Sequence, residues 1–148
     1  MTDLLPDGAI KLAQRAENKT DAIRQVGATL VEVGAVEPEY VEAMLEREEM
    51  VSTFVGEGVS IPHGTDASRA HVKRTALAVL QFPDGVDWNG NDVRLCVGIA
   101  AKGSEQVGIL SSLAQVLLDA DAAARLRGAD SPETIVGILQ SMDEETVQ

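Results

Sequence analysis

The chain has 148 residues, of which 45% are hydrophobic and 24% charged, as is typical of a globular protein with its own core. We therefore expect one domain that spans residues 1–148. The formal net charge of −12 disfavours binding to nucleic acid or to an anionic membrane surface, and it favours a basic protein as partner. The single cysteine, Cys96, excludes an intrachain disulfide, and the first residues lack a secretion-signal pattern, so we expect a cytoplasmic protein.

Two helices are predicted in the first third of the chain. Apolar residues from Ile23 to Val31 recur at helical spacing, and we expect Thr20 to cap this helix. Gly34 is expected to end it in a left-handed conformation. Pro38 suits the first turn of a second helix, because its missing N–H has no intrahelical partner at that position.

The middle of the chain contains the strand signals. A weak one lies at Ala9–Ala13, where a short helix is equally possible, and a short apolar run lies at Val59–Ile61. A stronger strand is predicted at Thr75–Phe82, ended by a turn at Pro83–Gly85. The run Arg94–Ala101 is apolar almost throughout, so we expect it to be central in a sheet.

Helical patterns return after these strands. Ser104 is expected to cap a helix that runs to about Asp119, and Ser131–Pro132 opens a last one. The inward stripe of the first of these helices is predicted to be Val107, Leu110, Ser111, Leu113, Ala114, Leu117 and Leu118. The alternation of helices and strands predicts an α/β sandwich.

His63 is the residue with the clearest chemical context. It follows Pro62, which holds the preceding residue extended, and precedes Gly64, which lacks a Cβ and can turn sharply. We expect the imidazole to lie open at this corner and to act as a nucleophile or a general base, since neutral imidazole suits both roles near neutral pH. A half-buried histidine that satisfies one hydrogen bond is the plain alternative.

Other kinds of site are poorly supported by the sequence. Two histidines and one cysteine do not have zinc-ligand spacing, so no metal is expected. No serine lies in a nucleophile elbow, which leaves a hydrolase with His63 as base without a nucleophile. Phosphate-binding and dinucleotide-binding glycine motifs are missing, so no organic cofactor is expected. His71, in a basic segment, is expected to be a surface residue without a chemical role.

Arg47 lies near the end of the second predicted helix, at the edge of its apolar face. Its helical neighbours three and four residues away are Ala43, Met44, Met50 and Val51, none of which is acidic. Arg47 is therefore either a solvated cation or a clamp for an anion at His63, because a guanidinium presents paired donors that match phosphate.

The ordered motifs of the chain resemble the IIA component of the bacterial sugar phosphotransferase system, in its mannitol/fructose class and nearest to the mannitol type. They are the runs 36–48 (VEPEYVEAMLERE), 56–57 (GE), 60–65 (SIPHGT), 82–86 (FPDGV) and 97–101 (VGIAA). This resemblance implies a mixed β-sheet of four to five strands flanked by helices on both faces.

The resemblance also implies a phosphoryl carrier with a phosphohistidine intermediate rather than a stand-alone enzyme. His63 would accept the phosphoryl group from phospho-HPr and pass it to a cysteine of a IIB domain, while a membrane IIC component transports the sugar. Arg47 would steady the group, and we expect a backbone carbonyl to hold the second ring nitrogen and loop N–H groups with Thr65 to bind the oxygens. A regulatory module of the same fold, switched by phosphorylation at His63, remains the alternative.

One position departs from the family pattern. The family usually has a second histidine in the helix that follows the Ile-Ala-Ala strand, and the corresponding residue here is Gln106. Its amide can donate a hydrogen bond but cannot carry a proton. We therefore expect Gln106 to be a neutral donor at the site.

Overall fold

The computed structural model of this chain describes residues 4–102 and 105–147, with side chains up to residue 139. Within these ranges the strands are β1 (Ile10–Lys11), β2 (Phe54–Gly56), β3 (Val59–Ser60), β4 (Ala76–Trp88) and β5 (Asn91–Ala100). The α-helices are α1 (Lys19–Glu32), α2 (Glu39–Met50), α3 (Glu105–Leu118), α4 (Ala120–Arg127) and α5 (Pro132–Val147). A 3-10 helix at Asp66–His71 lies between β3 and β4.

The described strands form one mixed sheet in the order β1-β4-β5-β3-β2. β1 pairs with β4, and β3 with β5, in parallel, whereas β4–β5 and β2–β3 are antiparallel. The edge strands β1 and β2 have only two and three residues. The long strand β5 is central, which confirms the prediction for the apolar run before Lys102.

Helices cover both faces of the sheet, as predicted. Alternate side chains of β4 belong to two separate cores: Ala78 and Leu80 pack with the core of α1 and α2, and Leu77 and Val79 pack with the core of α3, α4 and α5. This alternation follows from the two-residue period of a strand. Each fully buried leucine contributes about 1.5–3 kcal/mol through removal of its apolar surface from water.

The start of α1 differs from the prediction, and its end agrees with it. Asn18, rather than Thr20, caps the helix, and its side-chain oxygen accepts from the amide of Asp21 at 2.8 Å. Asparagine and threonine both make good caps, so the local pattern alone does not choose between them. Gly34 has a φ of +77°, and its amide donates to the carbonyl of Val31 at 3.0 Å.

The predicted turn at Pro83–Gly85 is wrong. β4 continues through it to Trp88, and the pairing with β5 shifts register between Gln81 and Val86, so the segment is a bulge. The chain reverses at Asn89–Gly90, where both φ angles are positive, +57° and +92°. An Asn-Gly pair is the favoured sequence for such a two-residue hairpin loop, and it outweighs the turn signal upstream.

The buried face of α3 is also rotated from the predicted one. Val107 and Leu118 are 71% and 84% exposed, and Ser111 and Ala114 are exposed as well. The buried residues of the helix are Ile109, Ser112, Leu113 and Leu117. A helix rich in apolar residues offers two overlapping stripes, and packing against the sheet and the neighbouring helices selects one. The predicted cap, Ser104, lies outside the described residues.

None of the described helices has both the length and the apolar composition needed to cross a membrane on its own. The pair α3 and α4 meets that test jointly, with a bend of 96° between the two helices.

Candidate functional site

The loop that carries His63 continues the sheet beyond β3. The amide of Ile99 donates to the carbonyl of Pro62 at 2.9 Å, and His63 pairs with Ile99 as an isolated parallel bridge. Proline holds the chain extended here, so the loop lies along β5. The sequence therefore places His63 beside the last residues of the central strand.

The imidazole of His63 is held in one tautomer. Its Nδ1 lies 2.8 Å from the carbonyl oxygen of Ile61. A carbonyl only accepts, so Nδ1 carries the proton and Nε2 keeps its lone pair. Burial lowers the pKa of His63 below its ordinary value of 6.5, the bond to Ile61 opposes this shift, and the Arg47 cation adds to it. The ring is thus neutral, with its proton on Nδ1 and its lone pair on Nε2.

His63 is more enclosed than its sequence context predicts. We expected an open imidazole at the proline–glycine corner, but the residue is only 5% exposed. The bridge to β5 and the contact of the ring with Ile61 draw the side chain against the end of the sheet. A group that reacts with His63 must therefore come close to the surrounding loop.

Tyr40 holds the loop of His63 in place through two hydrogen bonds of its hydroxyl group. Its buried hydroxyl donates to the carbonyl of Ile99 at 2.8 Å and accepts from the amide of Gly64 at 2.9 Å. Burial raises the pKa of Tyr40, so the phenol stays protonated. Tyr40 thereby ties α2, the end of β5 and the residue after His63 together.

Gly64 is needed for space rather than for an unusual turn. Its φ is outside the left-handed region, and a Cβ added there would collide with the hydroxyl of Ser68 and lie 2.6 Å from a ring carbon of Tyr40. The reason that the sequence suggested for a glycine here, a sharp turn of the backbone, is therefore wrong. Glycine allows the tyrosine ring to pack directly under the loop.

A cleft of about 350 Å³ opens in front of this loop. Its lining residues are Arg47, Met50, Gly64, Thr65, Asp66, Ala67 and Gln106. Three distant parts of the chain meet here, namely the end of α2, the residues that follow His63, and the first turn of α3. The cleft thus brings Arg47 and Gln106 next to the loop of His63.

Arg47 is held by the backbone and keeps donors available. Its Nη1 donates to the carbonyl of Val51 at 2.7 Å. In the part of the chain that the structure describes, no carboxylate lies within salt-bridge distance of it. The guanidinium therefore retains N–H groups for an anion in the cleft.

Three residues that line the cleft have backbone N–H groups without a hydrogen-bond acceptor among the described residues. The amides of Thr65, Asp66 and Ala67 donate to no acceptor among the described residues, whereas the amide of Ser68 begins the bonding of the 3-10 helix. The carboxylate of Asp66 is paired with Arg69 at 3.1 Å. The cleft therefore contains several N–H groups that an oxyanion would satisfy.

His71 makes a contact that the sequence did not predict. Its Nδ1 lies 2.8 Å from a carboxylate oxygen of Glu37, which is 34 residues away in the chain. Glu39 brings a third potential ligand atom, and the three atoms lie within 4.8 Å of one another. None of these three residues lines the cleft, but His71 and Glu39 line a neighbouring pocket that shares Thr65 and Ala67 with it.

Cys96 lies in β5 and is fully buried, as predicted for a core residue. Ser60 donates to its sulfur at 3.2 Å. Burial raises the pKa of the thiol to about 12. The thiol is therefore unreactive and takes no part in the chemistry of the cleft.

A sequence profile described as the EIIA 2 family of the phosphoenolpyruvate-dependent sugar phosphotransferase system matches residues 3–142. The chain belongs to this family, and it is a phosphoryl carrier of that system. This confirms the class of protein that the sequence motifs indicated.

Two similar proteins of this system are both named as mannitol-specific. The chain is 39% identical over 141 residues to the mannitol-specific phosphotransferase enzyme IIA component of Halalkalibacterium halodurans, covering 95% of this chain and 97% of that one. It is also 39% identical to part of the mannitol-specific EIICBA component of Pasteurella multocida, covering 93% of this chain and 23% of that longer protein.

A solved structure shares the fold. The mannitol enzyme IIA of Escherichia coli, solved in complex with phosphorylated enzyme IIB, superposes with a TM-score of 0.86 at 36% identity. The match covers 93% of this chain and 97% of that one. The mixed sheet with helices on both faces is thus the fold of this family.

Proposed function

We propose that His63 is the residue that carries the phosphoryl group. The observation that supports this most is the contact of Nδ1 with the carbonyl of Ile61, which leaves the lone pair of Nε2 free to attack phosphorus. A bond forms between Nε2 and phosphorus while the bond between phosphorus and the donor breaks. The neutral ring needs no base to remove a proton before it attacks.

The cleft residues stabilise the transferred group in this proposal. Phosphoryl transfer depends on in-line positioning and on donors for the oxygens in the equatorial plane. Arg47 supplies charged donors, the loop amides from Thr65 to Ala67 supply neutral ones, and Gln106 supplies a side-chain amide from the first turn of α3. Gln106 acts without a change of charge, because an amide does not titrate.

The proposed partners are phospho-HPr as donor, and a IIB domain that acts with a membrane IIC component as acceptor, in the cytoplasm. Support comes from the relative solved with phosphorylated IIB and from the relative named EIICBA. Large apolar side chains are exposed at Met50 (64%), which lines the cleft, and at Val51 (64%) and Val107 (71%), which follow cleft residues in the chain, as is common where proteins dock. We also propose that residues 1–148 form a single domain. The sugar whose uptake this carrier serves is, in this proposal, mannitol or a similar sugar.

The carrier role is tested by incubating the protein with phospho-HPr and measuring its mass. The wild type should gain one acid-labile phosphoryl group, and His63→Ala should gain none. His71→Ala is the matched control and should be labelled like the wild type, because the ring of His71 contacts the carboxylate of Glu37 rather than the loop of His63. Labelling of the His63→Ala variant would refute the proposal.

The two cleft side chains are tested by the rate of that labelling. Arg47→Ala should slow it by about a hundredfold, the usual effect of losing a charged or preorganised donor to the transition state. Gln106→Ala should slow it by about fivefold to tenfold, as expected for a neutral hydrogen bond worth about 1 kcal/mol. A wild-type rate in the Gln106→Ala variant would remove that residue from the site.

A further inference from the structure

Glu48, the residue after Arg47, is a buried carboxylate that accepts hydrogen bonds from two distant elements. It is 4% exposed. Its oxygens accept from the amide of Thr53 at 3.2 Å and from the Thr53 hydroxyl. They also accept from the indole Nε1 of Trp88 at 2.9 Å. Glu48 thus joins the end of α2 to the segment before β2 and to the β4–β5 hairpin.

The segment that Glu48 holds leads directly to the ring of His63. The carbonyl of Thr53 accepts from the amide of Ile61 at 3.0 Å. The carbonyl of that same Ile61 accepts from Nδ1 of His63 at 2.8 Å. A continuous chain of hydrogen bonds therefore runs from Glu48 through Thr53 and Ile61 to the imidazole.

The same segment also positions Arg47. The guanidinium donates to the carbonyl of Val51 at 2.7 Å, and Val51 lies two residues before Thr53. When Thr53 is fixed by Glu48, the short connection from α2 to β2 has little freedom, and so the carbonyl of Val51 stays in place. Both groups proposed to act on the phosphoryl group thus depend on the position of one buried carboxylate.

A purely structural role does not explain a carboxylate at this place. A buried carboxylate is costly, and an apolar side chain of the same size commonly stabilises a core at least as well. Within the described residues, no lysine or arginine lies within salt-bridge distance of Glu48 to offset that cost. We propose that Glu48 is a positioning residue for phosphoryl transfer, which sets the tautomer of His63 and the orientation of Arg47. This inference rests on the proposed function of His63.

The test begins with Glu48→Gln, which keeps the size of the side chain but replaces one acceptor oxygen with a donor. With the remaining oxygen at the Oε2 position, Trp88 and the Thr53 amide keep their acceptor, but the Thr53 hydroxyl loses its own and has to accept from the new amide group instead. In nitrogen NMR of the unphosphorylated protein, the His63 ring should no longer be confined to its Nδ1–H form. The amide of Ile61 should exchange with solvent at least about tenfold faster, because local opening becomes easier. Labelling by phospho-HPr should slow by about tenfold to a hundredfold, as for an ångström-scale misplacement.

The matched control is Glu49→Gln, the exposed glutamate next in the same helix, which should behave like the wild type in all three measurements. Thr53→Val removes only the hydroxyl donor and should shift the same three measurements in the same direction by less. If Glu48→Gln fails to fold, Thr53→Val decides the question. Wild-type ring and amide behaviour in Glu48→Gln, or in Thr53→Val where it alone folds, would overturn the proposal. The NMR measurements need no donor, so they stand even if the wild type is not labelled.

Discussion

At the scale of single residues, the environment of His63 keeps an ordinary imidazole neutral and directed. Burial is the main reason that its pKa lies below 6.5, and the nearby cation of Arg47 acts in the same sense. The bond to Ile61 decides which nitrogen has the lone pair. The protonation state of the ring and the position of its lone pair are therefore set before any partner binds.

This environment predicts a pH dependence of stability. The unfolded chain takes up a proton on His63 near pH 6.5, and the folded protein does so only at lower pH. The contribution of neutral His63 to the free energy of unfolding is therefore complete above pH 6.5. It is lost as the pH falls through the lowered pKa of the folded protein. NMR titration of His71→Ala, in which His63 is the remaining histidine, should give a midpoint below 6.5. A midpoint at or above 6.5 would contradict this explanation.

The sequence identified the residues with a local signal and missed those with distant partners. His63 was visible from its proline and glycine neighbours, and Arg47 from the family resemblance together with the lack of an acidic residue three or four positions away. Tyr40 and Glu48 look like ordinary members of a helix stripe. Their polar partners are 59 residues away at Ile99 and 40 residues away at Trp88, so only the fold reveals them.

At the scale of elements, Gly64 allows α2 and the His63 loop to approach each other. We expect Gly64→Ala to lower the free energy of unfolding by about 1–3 kcal/mol, the usual cost of overpacking, because its Cβ would collide with Ser68 and Tyr40. Urea unfolding measures this loss. An unchanged or higher stability would show that the loop has room to move.

The control for that substitution is Gly137→Ala in α5. No atom lies within 4 Å of a Cβ placed there. Alanine is a better helix former than glycine, so this variant should gain about 0.5–1 kcal/mol. The opposite signs of the two alanine substitutions separate the effect of crowding from the effect of backbone freedom.

The errors in element prediction have a common physical origin. Both Pro83–Gly85 and Asn89–Gly90 are turn sequences, and pairing with β5 uses only the second as a turn. In α3, apolar residues occupy more than one face, and tertiary packing buries Leu113 and leaves Leu118 exposed. Local patterns predicted that these elements exist, but the choice between competing signals required the rest of the fold.

At the scale of the whole molecule, the charge of −12 should influence how fast partners meet. Three glutamates, Glu39, Glu42 and Glu46, line a pocket that shares Thr65 and Ala67 with the cleft. A basic partner is attracted to such a surface, and salt screens the attraction. We therefore expect phospho-HPr to dock through a basic surface, and the second-order rate of labelling to fall as ionic strength rises.

Paired variants test whether this local charge matters. Glu46→Gln should lower both the rate and its dependence on salt. Glu133→Gln, in α5 on the other face of the sheet, should leave both nearly unchanged, because the two pockets that Glu133 lines share no residue with the cleft. Equal effects of the two variants would mean that only the overall charge of the protein contributes.

The mixed sheet with helices on both faces was predictable because the resemblance to the family covers nearly the whole chain. The strand order was not, since it depends on pairings such as His63 with Ile99 that join residues far apart in sequence. The position of the cleft follows from that order, because β5 lies between the strand that leads to His63 and the strand that follows it.

The short edge strands of the sheet limit unwanted pairing between copies of this carrier. β1 and β2 leave only a few peptide groups open to another chain, so strand exchange with neighbouring copies has little to build on. A carrier that must leave each partner cannot tolerate sheet edges that pair with other chains. Lengthening either border by design should create fibrils or swapped dimers, which light scattering would reveal.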